Sequence, residues 1–223
     1  IEDPPLVLYV TGALDVYAQI ATKTIANDIA IVGSRNPTPQ GEANARSFAQ
    51  GFAHVGMHVV SGLALGVDGA AHLGALQACE ESGGTSGSTV AIVGTGLDRV
   101  YPKKHYELAH RIAQHGVLIS EFPIGTPPLA ANFPKRNRII SALTQGTLVV
   151  EAAIQSGSLI TARMALEQGK DVFAIPGSIH STVSKGCHHL IKQGAKLVES
   201  AQDVLEELQH PTAMHLGAVH ALS

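Results

Sequence analysis

Ile29-Ala30-Ile31-Val32-Gly33-Ser34-Arg35 decides how the chain is read. An apolar, mostly β-branched run stops at a glycine, a serine and a cation, and a helical pattern follows from Gln40 to His54. The same punctuation recurs down the sequence. His58-Val59-Val60 ends at Ser61-Gly62, ahead of a helix from about Val67 to Ala78. Thr89 to Val93 ends at Gly94-Thr95-Gly96, ahead of a helix from Lys103 to Gln114. Val117-Leu118-Ile119 ends at Ser120-Glu121 and enters a long proline-rich loop. Thr147 to Val150 leads to Glu151, with a helix from Ser158 to about Gln168. Val172 to Ile175 ends at Pro176-Gly177, and a short helix at Leu190 to Gln193 precedes Lys196-Leu197-Val198. Apolar runs of strand length alternating with helical periodicity predict an α/β fold with a parallel sheet covered on both faces.

In such sheets ligands bind beyond the carboxyl ends of the strands. Small and polar residues gather at those ends here, so a ligand backbone can approach closely. No linker-like stretch interrupts residues 29–198, and Glu80 to Ser88 reads as a surface loop. The expected division is therefore one domain over residues 1–208 and a linker or tail over 209–223. The start, Ile1-Glu2-Asp3-Pro4-Pro5, has neither an initiator Met nor a signal-peptide layout, so the chain reads as a piece of something longer.

Composition removes several classes of function. The 223 residues are 45% hydrophobic and 15% charged, which excludes a disordered or polyelectrolyte chain. Fifteen Lys and Arg against 18 Asp and Glu leave a net charge of −3, which argues against coating nucleic acid by bulk positive charge. A local basic site remains open. Cys79 and Cys187 form neither a disulfide framework nor a CxxC site and read as free thiols of a reducing, cytoplasmic compartment. No apolar run approaches the roughly 18 residues of a membrane span.

Familiar cofactor motifs fail. The turn Gly33-Ser34-Arg35-Asn36-Pro37 is not GxGxxG, Gly94-Thr95-Gly96-Leu97-Asp98-Arg99 lacks the third glycine, and no stretch supplies GxxxxGK[ST]. The 12 histidines include no HExxH and no cysteine partner set. No cofactor and no metal is expected.

The window Asn132-Phe133-Pro134-Lys135-Arg136-Asn137-Arg138-Ile139-Ile140 is the most unusual, with three cations inside four residues beside an aromatic and an amide. A basic triplet by itself reads as a solvated helix start. This one follows a loop at the ligand end of the sheet, and Phe133 is one of only 5 phenylalanines. Guanidinium groups pair with phosphates and aromatic rings stack on unpaired bases, which together suit single-stranded nucleic acid. Arg35 projects at the same end, near a helix N-terminus that favours anions, with a surface salt bridge as the competing reading. Ser158 reads as an N-cap, and Asp68 with His72 reads as a structural pair one helical turn apart. Glu121 and Glu151 could converge at the strand ends, yet no nucleophile with an adjacent base accompanies them.

Taken in order, these segments resemble the DNA-processing protein A family (DprA, also called Smf), from about Pro4 to Leu208. The motifs that carry the resemblance are Ile31 to Arg35, Ser61 to Asp68 with Ala71-His72, Gly94 to Asp98 with Tyr101-Pro102, and Ser120-Glu121. Phe133 to Ile140, Glu151-Ala152, Ser156 to Ala162 and Pro176-Gly177 complete them. The resemblance implies an extended Rossmann-like three-layer fold with a mostly parallel central sheet. It implies binding of single-stranded DNA, a homodimer, and help in loading the RecA recombinase during natural transformation, without substrate turnover. Its DNA pocket would comprise Gly33, Ser34, Arg35, Gly62, Phe133, Lys135, Arg136, Asn137 and Arg138. The family's flanking domains are expected to lie outside this chain, and where the family commonly has Gly-Cys-Asn this chain has Gly186-Cys187-His188. The competing enzyme reading is a nucleotide-processing hydrolase like the lysine-decarboxylase-like phosphoribohydrolases, but their Pro-Gly-Gly-x-Gly-Thr loop does not occur here.

Overall fold

Strands β2 (Ile29–Val32), β3 (Val59–Ser61), β4 (Thr89–Val93) and β6 (Gly146–Val149) are buried at every residue. A strand apolar on both faces must be covered on both, which forces a helical layer on each side. The computed structural model describes residues 1, 3–13, 15–18 and 28–209. Its eight-stranded sheet has the order β1-β5-β4-β3-β2-β6-β7-β8, completed by β5 (Val117–Ser120), β7 (Asp171–Ala174) and β8 (Lys196–Leu197). All neighbours run parallel except β1 (Tyr9–Gly12), which pairs antiparallel with β5 at one edge, Tyr9 opposite Ser120. Residues 210–223, most of the expected tail, lie outside the described residues; Gln209 itself ends the last helix.

Side-chain alternation sorts the core into two faces. Ile29 and Ile31 pack with helices α1 (Pro39–His54) and α2 (Val67–Glu81) and with Val204 of α7 (Ala201–Gln209). On that face Ala91 and Val93 pack with Leu108 and Ile112 of α3 (Tyr106–His115). Ala30 and Val32 point the other way, to α4 (Asn132–Ala142), α5 (Ser158–Glu167) and α6 (Lys185–Lys192). Burying Phe52 alone, fully covered on α1, contributes about 1.5–3 kcal/mol.

The chain first winds β2-β3-β4-β5 outward, then returns across the sheet so that β6 lies on the other side of β2. Right-handed crossovers in opposite directions place the two helix sets on opposite faces. The return also creates a topological switch point between β2 and β6, where open α/β sheets bind ligands.

Several elements differ from the sequence expectation. The helix expected from Lys103 begins as a 3-10 turn, Lys103–His105, before α3. The helix expected at Leu190 to Gln193 is the end of α6, which starts at Lys185. β1, α4 as a full helix and α7 were not anticipated. Cys79 and Cys187 are buried free thiols, and burial pushes the Cys187 thiol up to about 11. Among the described residues no helix is long and apolar enough to cross a membrane.

Helices α1 and α2 touch at Gly74, where an added Cβ would overlap the Arg46 carbonyl oxygen. Gly74→Ala is expected to lower unfolding free energy in urea by about 1–3 kcal/mol, because one helix must move off the other. An unchanged midpoint would show that this contact does not set the helix spacing.

Candidate nucleic-acid interface

The switch point opens into a cleft of about 460 Å³ with three walls. The turn after β2 supplies Gly33, Ser34 and Arg35, α4 supplies Phe133, Arg136 and Asn137, and the loop into α5 supplies Ser156 and Ser158.

The first wall is fixed by backbone bonds. The Ser34 carbonyl accepts from Val67 N–H at 3.1 Å, and its hydroxyl accepts from Asn36 N–H at 3.1 Å. Thr38 caps α1 by accepting from Gly41 N–H at 3.0 Å. Across the switch point, Glu151 accepts from Thr38 N–H at 2.8 Å and from its hydroxyl at 2.6 Å. Arg35 is exposed and, among the described residues, has no hydrogen-bond or ion-pair partner. Among the described residues, the salt bridge that competed as its explanation does not form.

The second wall depends on buried polar groups, because α4 carries few apolar ones. Arg136 Nη1 donates to Gly62 O at 2.6 Å and to Ile92 O, and Nε donates to Asn137 Oδ1 at 2.9 Å. Burial lowers the Arg136 pKa to about 10, with the Asp68 charge opposing that shift and Arg35 adding to it. The side chain thus stays cationic near neutral pH, and its Nη2 has no protein acceptor among the described residues. Arg138 is more completely committed. Its Nη1 and Nη2 donate to Glu121 at 3.0 and 2.6 Å, Nε donates to Asp3 O at 2.9 Å, and Nη1 also reaches Lys135 O at 3.2 Å. The helix C-terminus is capped by Lys170, whose ammonium donates to Ser141 O and Ala142 O at 2.6 and 2.7 Å.

The loop after β3 underpins this wall. Leu63 holds a left-handed backbone with φ of 60°, an unfavourable conformation for a branched residue that its surroundings must over-determine. Asp68 accepts from Gly62 N–H at 3.1 Å and Ala64 N–H at 3.3 Å. His72 Nε2 accepts from Leu63 N–H at 3.2 Å, so the ring proton lies on Nδ1 and is donated to Thr89 Oγ1 at 2.7 Å. Thr89 in turn donates to Val59 O at 2.7 Å. Asp68 and His72 both hold the loop and do not bond each other. Burial raises the Asp68 pKa against the pull of Arg136, and it lowers that of His72 to about 3.

The third wall shifts one assignment. Gly157, not Ser158, stands at the N-cap of α5, and Ser156 Oγ accepts from Ser158 N–H at 3.4 Å. The positive end of α5, at Gly157 and Ser158, lines the same cleft as Arg35.

The structure brings Gly33, Ser34, Arg35, Phe133, Arg136 and Asn137 to one cleft, whereas Gly62, Lys135 and Arg138 lie outside its lining. A Cβ on Gly62 would strike the Arg136 guanidinium, and one on Gly33 would come within 2.7 Å of Val67 and 2.9 Å of Glu151 O. Both glycines thus admit close packing of the protein itself. Lys135 is exposed, 3.8 Å from Glu121. Asp68 and the Ser156–Ser158 segment line the cleft without having been chosen as site residues, since only the strand order reveals that α5 starts there. Glu121 and Glu151, the carboxylates an enzyme reading needs, are both engaged by protein donors. His188, at the departure from Gly-Cys-Asn, sets Nε2 3.0 Å from Gly177 O. Among the described residues no three metal-ligating side chains converge.

An open, doubly wound sheet with a cleft at its switch point defines a Rossmann-like α/β chain. It belongs to the DNA recombination-mediator protein A family, whose model matches residues 1–209. The chain is 48% identical over 208 residues to Protein Smf of Escherichia coli, covering 93% of this chain and 52% of that protein. It thus spans about half the length of that relative. DNA processing protein DprA of Streptococcus pneumoniae is 46% identical over 209 residues, 94% of this chain and 69% of that protein. The crystal structure of that protein superposes with a TM-score of 0.83, covering 93% of this chain and 68% of that one. DNA processing protein A of Helicobacter pylori, solved for its single-stranded DNA binding mode, gives 0.81 at 29% identity, covering 95% and 90%. A molybdenum cofactor binding protein from Rippkaea orientalis, at 0.59 and 18% identity, shares the fold alone. The family's description as a recombination mediator agrees with the non-enzymatic expectation.

The His72 bonds predict a pH effect. Between the unfolded value near 6.5 and the folded value of about 3, the unfolded chain binds a proton that the folded chain does not. Stability contributed by neutral His72 is complete above that window and falls as pH falls through it, by about 2 kcal/mol between about pH 7 and about pH 5. Urea unfolding of His72→Gln is expected to lose that part of the slope. Parallel pH curves for parent and variant would contradict the assignment.

Proposed function

We propose that this chain binds single-stranded DNA in the switch-point cleft and acts as a non-enzymatic recombination mediator. The observation that carries the reading is the exposed Arg35, without a partner among the described residues, in one cleft with the N-terminus of α5 and the Phe133 ring of the α4 wall. Two cationic features lining one cleft suit a phosphate, and a ring in the same cleft suits an unpaired base. Arg35, Ser34 and Asn137 are the direct polar contacts, with Lys135 reaching the strand at the rim. Arg136 contributes its charge through Nη2, and Arg138 positions Lys135 from beneath.

Loading of RecA onto single-stranded DNA during natural transformation, in the cytoplasm, is the finer form of this reading; the family's description as a recombination mediator supports it. A homodimer belongs to it as well. The apolar hollow of Ile154, Ile179, Ile191 and Leu197 beside edge strand β8 offers a surface for it.

Arg35→Ala is expected to weaken binding of a fluorescent oligothymidine at least about tenfold, the value of a charge-assisted bond to phosphate. It is also expected to reduce the slope of log affinity against log salt by about 0.7, one single-strand phosphate contact. Unchanged affinity and slope in anisotropy titrations would remove the cleft as the DNA site.

A further inference from the structure

Phe133 is the aromatic residue that the sequence singles out, yet the structure half-buries its ring. A Cβ on Gly94 would stand 3.1 Å from that ring, so strand-end backbone covers one side of it. Tyr101, in the loop after β4, lies with its ring centroid 5.4 Å from that of Phe133 at an interplanar angle of 38°. Two carbon contacts at optimal separation need about 7 Å, so no base fits between these rings. The pair is a single platform whose free surface belongs mostly to Tyr101, which is 48% exposed. Its hydroxyl has no partner among the described residues. The core does not account for an aromatic residue held half in solvent at the ligand end of the sheet.

The surroundings favour a polyanion. Asp98, the acid of this loop, accepts from Gly125 N–H at 2.8 Å and pairs with Arg99 at 3.3 Å. Glu121 is taken by Arg138. Lys103 and Lys104 follow Tyr101 in the chain, exposed and without an ion pair among the described residues.

We propose that Tyr101 is a base-stacking residue: a single strand leaving the cleft lays one unpaired base on the outer face of Tyr101, with Phe133 backing the ring. The strand then runs from the β2–β6 switch point along the strand ends toward β4. This rests on the single-stranded DNA reading and adds to it a direction and a second contact. Stacking requires the ring and not the hydroxyl.

Anisotropy titration with oligothymidine compares the parent chain with Tyr101→Phe, Tyr101→Leu and Arg35→Ala. Tyr101→Phe is expected to bind like the parent and Tyr101→Leu about tenfold more weakly, the range of one base on one aromatic residue. In parallel, 5-iodouracil-substituted oligonucleotide is irradiated with the parent chain, and the adduct is expected on Tyr101. Parent-like binding by Tyr101→Leu while Arg35→Ala is weakened would overturn the stacking role and leave the cleft standing. Intact binding by Arg35→Ala would overturn the underlying reading and the stacking role with it. Should Tyr101→Leu not fold, the cross-link on the parent chain decides, and adducts confined to other residues overturn the proposal.

Discussion

A single buried guanidinium organises the ligand end of this sheet. Arg136 reaches from α4 to carbonyl oxygens of Gly62 and Ile92, tying the ends of β3 and β4 to a helix that returns from the far edge. Such a cation inside a protein must be matched by acceptors and a countercharge, since removing one partner of a buried pair costs about 3–5 kcal/mol. The consequences spread along the chain. Gly62 must lack a side chain to receive the guanidinium, and Asp68 must be buried near it to balance the charge. Asp68 then holds the Gly62 and Ala64 amides, and His72 holds Leu63 in a left-handed conformation. With α4 anchored in this way, Phe133 and Asn137 reach the cleft from a rigid element.

The cations of the basic window therefore divide by task. Arg136 and Arg138 spend most of their donors on protein, and Lys135 and the distant Arg35 remain available to solvent. The acids near the rim divide in the complementary sense. Glu121 holds Arg138, Glu151 holds Thr38, and Asp98 holds the Gly125 amide, so each has its charge offset or its oxygens engaged. A chain of net charge −3 can in this way present a locally positive cleft. The sum of charges excludes a bulk polyanion coat and says little about one site, because local potential depends on which charges are already paired.

The central strands were legible because they are short, mostly apolar runs, and the punctuation after each located the ligand end of the sheet. Helix α4 was not legible as a helix. Four of its six buried residues are Asn132, Arg136, Arg138 and Ser141, which carry no apolar periodicity. Strand β1 escaped notice because it is an exposed edge whose partner lies more than a hundred residues away. Within the site, Arg35 and Phe133 stood out by residue type and position. The inward commitment of Arg136 did not, since its acceptors at Gly62 and Ile92 are distant in sequence and are set by strand order. The same order brings the start of α5 into the cleft, where local sequence offers only a helix cap.

The most direct measurement is a crystal structure of this chain with a short oligothymidine bound. The account predicts a phosphate between Arg35 and the N-terminus of α5, with Arg136 still bonded to Gly62 and Ile92. A strand bound on another face, or an Arg136 that leaves those carbonyls to grip phosphate, would contradict the separation of structural from ligand-binding cations.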